Sequence, residues 1–146
     1  MILPITLTIA GAAALLNVWL GRRAGQVRMA NRIWIGDGGN EALVARMRAQ
    51  ANFVEYTPFV LILIALVELA RGSEAWLWVV GVVYIVARIL HGFGMDRPLP
   101  DPLKLRFIGT LLTGLILIGL ALYAIWIAAM ERPTRPTITY AAVQPL

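Results

Sequence analysis

The feature that most constrains this chain is where its charge is missing. Ile2 to Leu20 carries no charged residue, and Phe107 to Met130 is a second uncharged run. Between them, Ala51 to Ala70 is interrupted by Asn52, Glu55, Tyr56 and Glu68, and Ala75 to Leu90 by Arg88. A membrane-spanning helix needs roughly 17–25 mostly apolar residues. In lipid the backbone must satisfy its own polar groups, and a helix does so within one segment. The four blocks therefore predict an all-α bundle of four transmembrane helices over residues 1–132, with a proline-containing tail over 133–146. Glu55, Glu68 and Arg88 lie toward block ends, so the middle two spans are expected to extend into a polar zone.

Composition agrees. Of 146 residues, 60% are hydrophobic and 14% charged, against ~45–50% and ~25% in soluble domains. A soluble domain this small could not hide that much apolar surface. A soluble enzyme, a disordered chain and a nucleic-acid-binding domain are all excluded, the last because the basic residues are scattered around apolar blocks. The chain has no cysteine, which rules out a disulfide scaffold, a thiolate metal site and a cysteine nucleophile. Its single histidine leaves no metal site to expect.

Basic residues favour the cytoplasmic face. The first connection and its flanks hold Arg22, Arg23, Arg28, Arg32, Arg46 and Arg48, and the third holds Arg88, Arg97, Lys104 and Arg106. The second connection has Arg71 between Glu68 and Glu74. Connections one and three are thus expected inside, with both termini outside. Trp76, Trp78, Tyr123 and Trp126 would mark the outer interface and Trp19 the inner one. No basic stretch precedes the first block, so it reads as a retained span rather than a cleaved leader.

Local signals place the helix ends. Gly36-Asp37-Gly38-Gly39 predicts a turn, and Asn40 before Glu41 an N-cap. Arg71-Gly72-Ser73 predicts a tight turn with Ser73 capping helix three. Asp101-Pro102 reads as the start of helix four, with Arg106 about one turn in.

The chemistry concentrates in Arg48 to Pro58. With ~100° per helical residue, Arg48, Asn52, Glu55 and Tyr56 share one face at offsets of 0, 4, 7 and 8. Ionisable groups inside a membrane usually face a bundle interior or a watery cavity. One reading is a structural network in which Arg48 satisfies Glu55. The other is a cavity for a polar, zwitterionic ligand, with Asn52 and Glu55 taking donors and Arg48 a carboxylate. Pro58 removes one helical hydrogen bond and kinks the span, which could open space beside Glu55. Arg88 and His91 are three apart on one side of helix three. His91 fits a hydrogen-bonding or ligand-contacting role better than that of a general base. Arg106 near a helix N-terminus makes a positive spot that would stabilise an anion, a thiolate being one candidate. With no cysteine in the chain, that thiol must come from a ligand.

The run Arg48-Ala49-Gln50-Ala51-Asn52-Phe53-Val54-Glu55-Tyr56-Thr57-Pro58 closely resembles the signature of the MAPEG superfamily, the membrane-associated proteins in eicosanoid and glutathione metabolism. Gly36-Asp37-Gly38-Gly39, Arg88 with His91, and Arg106 are supporting matches, in the manner of the bacterial branch. The resemblance implies a homotrimer of four-helix protomers in the inner membrane. Glutathione would bind between neighbouring subunits toward the cytoplasmic side, and lipophilic substrates would arrive from membrane lipid. Arg48, Asn52 and Glu55 would bind the tripeptide, with Gln50 and Tyr56 as further contacts from the neighbouring subunit. Arg88 and His91 would line the same pocket. Arg106 would be the catalytic arginine that stabilises the glutathione thiolate. Arg28 matches an arginine at the end of helix one, a place for which Arg22, Arg23 and Arg32 also compete.

The chain departs from the eicosanoid-forming members. Met95 stands where several carry a tyrosine, Phe107 follows Arg106 in place of a serine, and Gly92 to Lys104 is proline-rich. The expectation is a general membrane-bound glutathione transferase or peroxidase acting on lipophilic electrophiles. The alternative is a non-catalytic scaffold or regulatory protein of the same fold. A small proton-coupled exporter also has four spans, but keeps its key glutamate in the first, where this chain has no acid.

Overall fold

A computed structural model describes residues 2–96 and 104–130. Four helices follow in order: α1 (Pro4–Asn31), α2 (Glu41–Arg71), α3 (Ala75–Gly94) and α4 (Leu105–Met130). Each is long and apolar enough to cross a membrane, as the four blocks predict. α1 packs mainly on α2, and α3 mainly on α4. The outer surface is apolar: Leu111, Leu115, Ile118, Leu122 and Ile125 form an exposed stripe on α4. Water would not tolerate a stripe that long on a monomer, whereas lipid solvates it.

The helix ends have local causes. Gly36, Gly38 and Gly39 take positive φ angles of 70°, 59° and 71°, the left-handed region that glycine enters at little cost. The Asn40 side chain accepts from the Leu43 N–H at 2.9 Å, so the expected cap of α2 is present. α1 continues well past its apolar block. Arg22, Arg23 and Arg28 are helical, and the chain turns only at Arg32, whose φ is 54°. Two expectations need correction. Ser73 does not cap α3: Glu74 occupies the cap position without a side-chain capping bond, and the Ser73 hydroxyl donates to Glu68 Oε1 at 2.7 Å. Arg106 is the second residue of α4, two places after Lys104 with its φ of 51°, not a turn inside. The start signal at Asp101-Pro102, the helix-blocking Pro98 and Pro100, and the 133–146 tail lie outside the described residues.

Glu68 also departs from the expected polar zone, since it is 1% exposed. Its carboxylate accepts from the Ile5 N–H at 3.0 Å, the Thr6 N–H at 2.8 Å and the Thr6 hydroxyl at 2.7 Å. The first amides of a helix have no partner within it. Leu3 at the cap of α1 offers no side-chain oxygen, so α2 supplies the cap across the bundle. The positive end of the helix dipole favours that anion.

The opposite end is tied by arginine. Asp96 takes ion pairs from both Arg23 and Arg46. Arg23 also donates to the Gly92 carbonyl and lies 4.4 Å from the Trp19 ring centre. Arg46 donates to the Arg23 carbonyl. This cluster locks α1, α2 and α3 together. Between the two ends the core is hydrocarbon, with Ile5, Ile9, Val60, Ile64 and Leu77 in one cluster and Ala13, Leu16, Leu20, Ala49 and Phe53 in the other. At the Glu68 end Trp76 meets Tyr123 edge to face and Tyr123 stacks on Trp126.

Candidate functional site

The polar stripe of α2 is not sealed. Arg48 and Glu55 are both exposed on the protomer, and neither forms a hydrogen bond or ion pair among the described residues. They are two turns apart on one helix, beyond each other's easy reach. The structural network in which Arg48 satisfies Glu55 is therefore absent. Tyr56, 37% exposed, continues the same open face. A cation, a carboxylate and a phenol thus stand together on an exposed face of α2. Leaving charge against hydrocarbon costs several kcal/mol by the mildest scales, about 2.5–3.5 per group.

Asn52 turns the stripe inward. Its Oδ1 accepts from Arg88 Nη2 at 2.8 Å. Arg88 is 1% exposed and makes no ion pair among the described residues. Its other partners are the Thr113 hydroxyl, 3.3 Å from Nη1, and the Phe53 ring, 5.7 Å from the guanidinium carbon. Its Nε–H has no acceptor among the described residues. Arg88 therefore lies inside the protomer, holding Asn52 from behind, rather than at an open surface. His91 is 5% exposed, with Nδ1 3.1 Å from the Thr110 hydroxyl. Arg106 is exposed at the start of α4, and its carbonyl accepts from the Thr110 hydroxyl at 2.9 Å.

Arg28 and Gln50 lie elsewhere. Gln50 projects from the side of α2 that meets α1, where its Nε2 is 3.4 Å from Asn17 Oδ1. Arg28 donates to the Met47 sulfur and the Ile33 carbonyl. Both line a groove of about 490 Å³ between α1 and α2, with Gly21, Gly25 and Met47. Of the competing arginines, Arg23 is consumed by Asp96, while Arg28 opens onto this groove. Beside Pro58 runs a second groove of about 330 Å³, lined by Ala10, Ala14, Asn17, Thr57 and Pro58. It opens on the α1 side and not beside Glu55. The expected residues thus form two sets on two faces of one protomer. Arg48, Asn52, Glu55 and Tyr56 belong to one, and Arg28 and Gln50 to the other.

Thr110 and Thr113 escaped the sequence reading. The signal was available, because Arg106, Thr110 and Thr113 fall at offsets of 0, 4 and 7 on one helix face. Glycine makes their position possible. A Cβ on Gly109 would lie 2.6 Å from the Ala87 carbonyl oxygen and 2.8 Å from His91 Cβ, and one on Gly94 only 2.3 Å from the Arg106 nitrogen. α3 and α4 touch backbone to backbone there, which brings Arg88 and His91 against the threonines.

Comparison with known proteins gives a family and a relative. The model of the MAPEG family matches residues 6–126. Inner membrane protein YecN of Escherichia coli strain K12 is 33% identical over 75 residues, 51% of this chain and 56% of that protein. The protein of the same name from a second Escherichia coli strain gives the same figures. The chain thus spans little more than half the length of these curated relatives.

Proposed function

This chain belongs to the MAPEG family, and from that membership we propose that it is a membrane-bound, glutathione-dependent transferase or peroxidase acting on lipophilic electrophiles. The observation that carries the reading is the open stripe of Arg48, Glu55 and Tyr56, backed by the Asn52–Arg88 bond, on an otherwise apolar span. A zwitterionic tripeptide complements it: Glu55 takes an ammonium, Arg48 a carboxylate, and Asn52 the peptide backbone. The hydrocarbon tails of lipid offer no such set of groups.

The site is divided between protomers in this reading. Arg28 and Gln50 stand on another face from Arg48 and Glu55, so one copy cannot close both sets around one small ligand. A homotrimer would bring the α1–α2 groove of one subunit against the stripe of the next. It would also cover the charged face that lipid cannot. Membership of the inner membrane follows the relative's description, with connections one and three inside and both termini outside, as the arginines direct.

The chemistry assigned to Arg106 is electrostatic. Its guanidinium, beside the N-terminus of α4, stabilises the thiolate of bound glutathione. The thiolate attacks an electrophilic carbon, forming a C–S bond as the leaving group departs with its electron pair. With a hydroperoxide it attacks oxygen, the O–O bond breaks, and a second glutathione completes reduction to the alcohol, water and glutathione disulfide. Titration calorimetry in detergent checks the premise. We expect binding in the millimolar range or tighter, and thiolate absorbance on binding. No heat at millimolar glutathione would remove the reading. Binding without turnover over a broad panel of aryl halides and hydroperoxides would favour a non-catalytic member of the family.

A further inference from the structure

The hydrogen atoms around Thr110 can be counted. A threonine hydroxyl has one hydrogen to donate and two lone pairs. Thr110 Oγ1 lies 2.9 Å from the Arg106 carbonyl oxygen, which can only accept. The hydrogen is therefore committed to Arg106. His91 Nδ1, 3.1 Å from the same oxygen, must then be the donor. A neutral imidazole carries one N–H, so Nε2 is left as a bare lone pair. That atom is buried and has no hydrogen-bond partner among the described residues, which argues against a second hydrogen on it.

From this chain of bonds we infer that His91 is a positioning residue for Arg106. Neutral and protonated on Nδ1, it donates to Thr110, which donates to the Arg106 carbonyl that the His91 ring also meets directly, and so fixes the first turn of α4. The inference rests on the proposed glutathione chemistry only for its consequence, the placing of the guanidinium.

Two further observations say why such a tie is needed. Arg106 is the second residue of its helix and follows Lys104, whose φ of 51° marks a sharp change of direction. A first helical turn lacks the preceding carbonyls that steady later ones. The same turn is pressed onto α3 without side chains between, since a Cβ on Gly94 would strike the Arg106 nitrogen. His91 stands between the two contacts, one helical turn before Gly94 and against Gly109. It thereby converts a close backbone approach into a directed one. A guanidinium that must meet a sulfur within about 0.5 Å of its productive place gains from that constraint.

His91 is the chain's single histidine, so the tautomer can be read directly. In protein labelled with 15N-histidine, in detergent and without ligand, we expect a protonated Nδ1 and an unprotonated Nε2. An Nε2–H tautomer would overturn the inference whatever the protein binds. Kinetics test the consequence. His91→Asn keeps a donor near the Nδ1 position, whereas His91→Gln moves it to the Nε2 position. We expect Asn to retain the thiolate signal. Gln and Thr110→Val should lower kcat about tenfold with little change in glutathione KM, and Thr110→Ser should restore it. If Gln keeps activity while Asn raises KM, His91 contacts ligand through Nε2 and the positioning role is wrong. If the wild-type protein binds no glutathione, the functional reading fails, while the labelled spectrum still decides the bonding chain.

Discussion

Two buried charged residues show how differently a membrane protein can use an ionisable group. Glu68 is saturated: four donors converge on its two oxygens. Each oxygen faces two donors, so an amide at this position would set its own N–H groups against two of them. We expect Glu68→Gln to weaken the docking of α1 by about 1–3 kcal/mol. Faster hydrogen exchange at the Ile5 and Thr6 amides, with a lower melting temperature in detergent, checks it. Arg88 is under-satisfied by comparison, with an amide, a hydroxyl and a ring as its partners. Its value lies in orienting Asn52. Arg88→Leu removes that support, and glutathione affinity should fall about tenfold, read by calorimetry, through Asn52 rather than by a lost ligand contact. Arg106→Ala should act differently, lowering turnover about 10²–10³-fold while binding persists.

At the scale of the helices, function depends on how closely α3 and α4 approach. Gly94 and Gly109 let the two backbones meet. Gly109→Val would place methyl groups where the Ala87 carbonyl and the His91 backbone already sit. The helices must then separate, at a cost of about 1–3 kcal/mol for overpacking. We expect a stable but less active protein, with the loss in kcat. A thermal melt within a few degrees of wild type, alongside undiminished turnover, would contradict this account. The sequence marked these glycines only as small residues in an apolar run. Nothing in a period of 3.6 says which of several glycines meets a neighbour.

At the scale of the whole molecule, the telling fact is that the expected ligand residues occupy two faces. A site shared between subunits can be tested by mixing two inactive proteins, one with Arg48→Ala and Glu55→Ala, the other with Arg28→Ala and Gln50→Ala. In random mixed trimers about one interface in four joins two intact faces. Coexpression should therefore restore about a quarter of the wild-type activity, measured on purified mixed assemblies. No recovery, with both proteins folded and coassembled, would place the whole site within one protomer. The ion-paired end formed by Arg23, Arg46 and Asp96 holds the three helices that carry these faces, so their spacing is built into the protomer before any assembly.

The linear pattern of hydropathy was enough to specify four spanning helices, the glycine turn, the Asn40 cap and the polar stripe of α2, because each depends on neighbours within a turn or two. The motif from Arg48 to Pro58 likewise carried the family. What no local pattern held was partnership across the bundle. Glu68 looked like the end of a span and is the cap of another helix; Ser73 looked like a cap and serves Glu68 instead. Arg88 and His91 meet Asn52 and two threonines, partners that no spacing along the chain announced. Those outcomes depend on which residues distant in the chain arrive beside them, and in a bundle that is settled by where two backbones can touch.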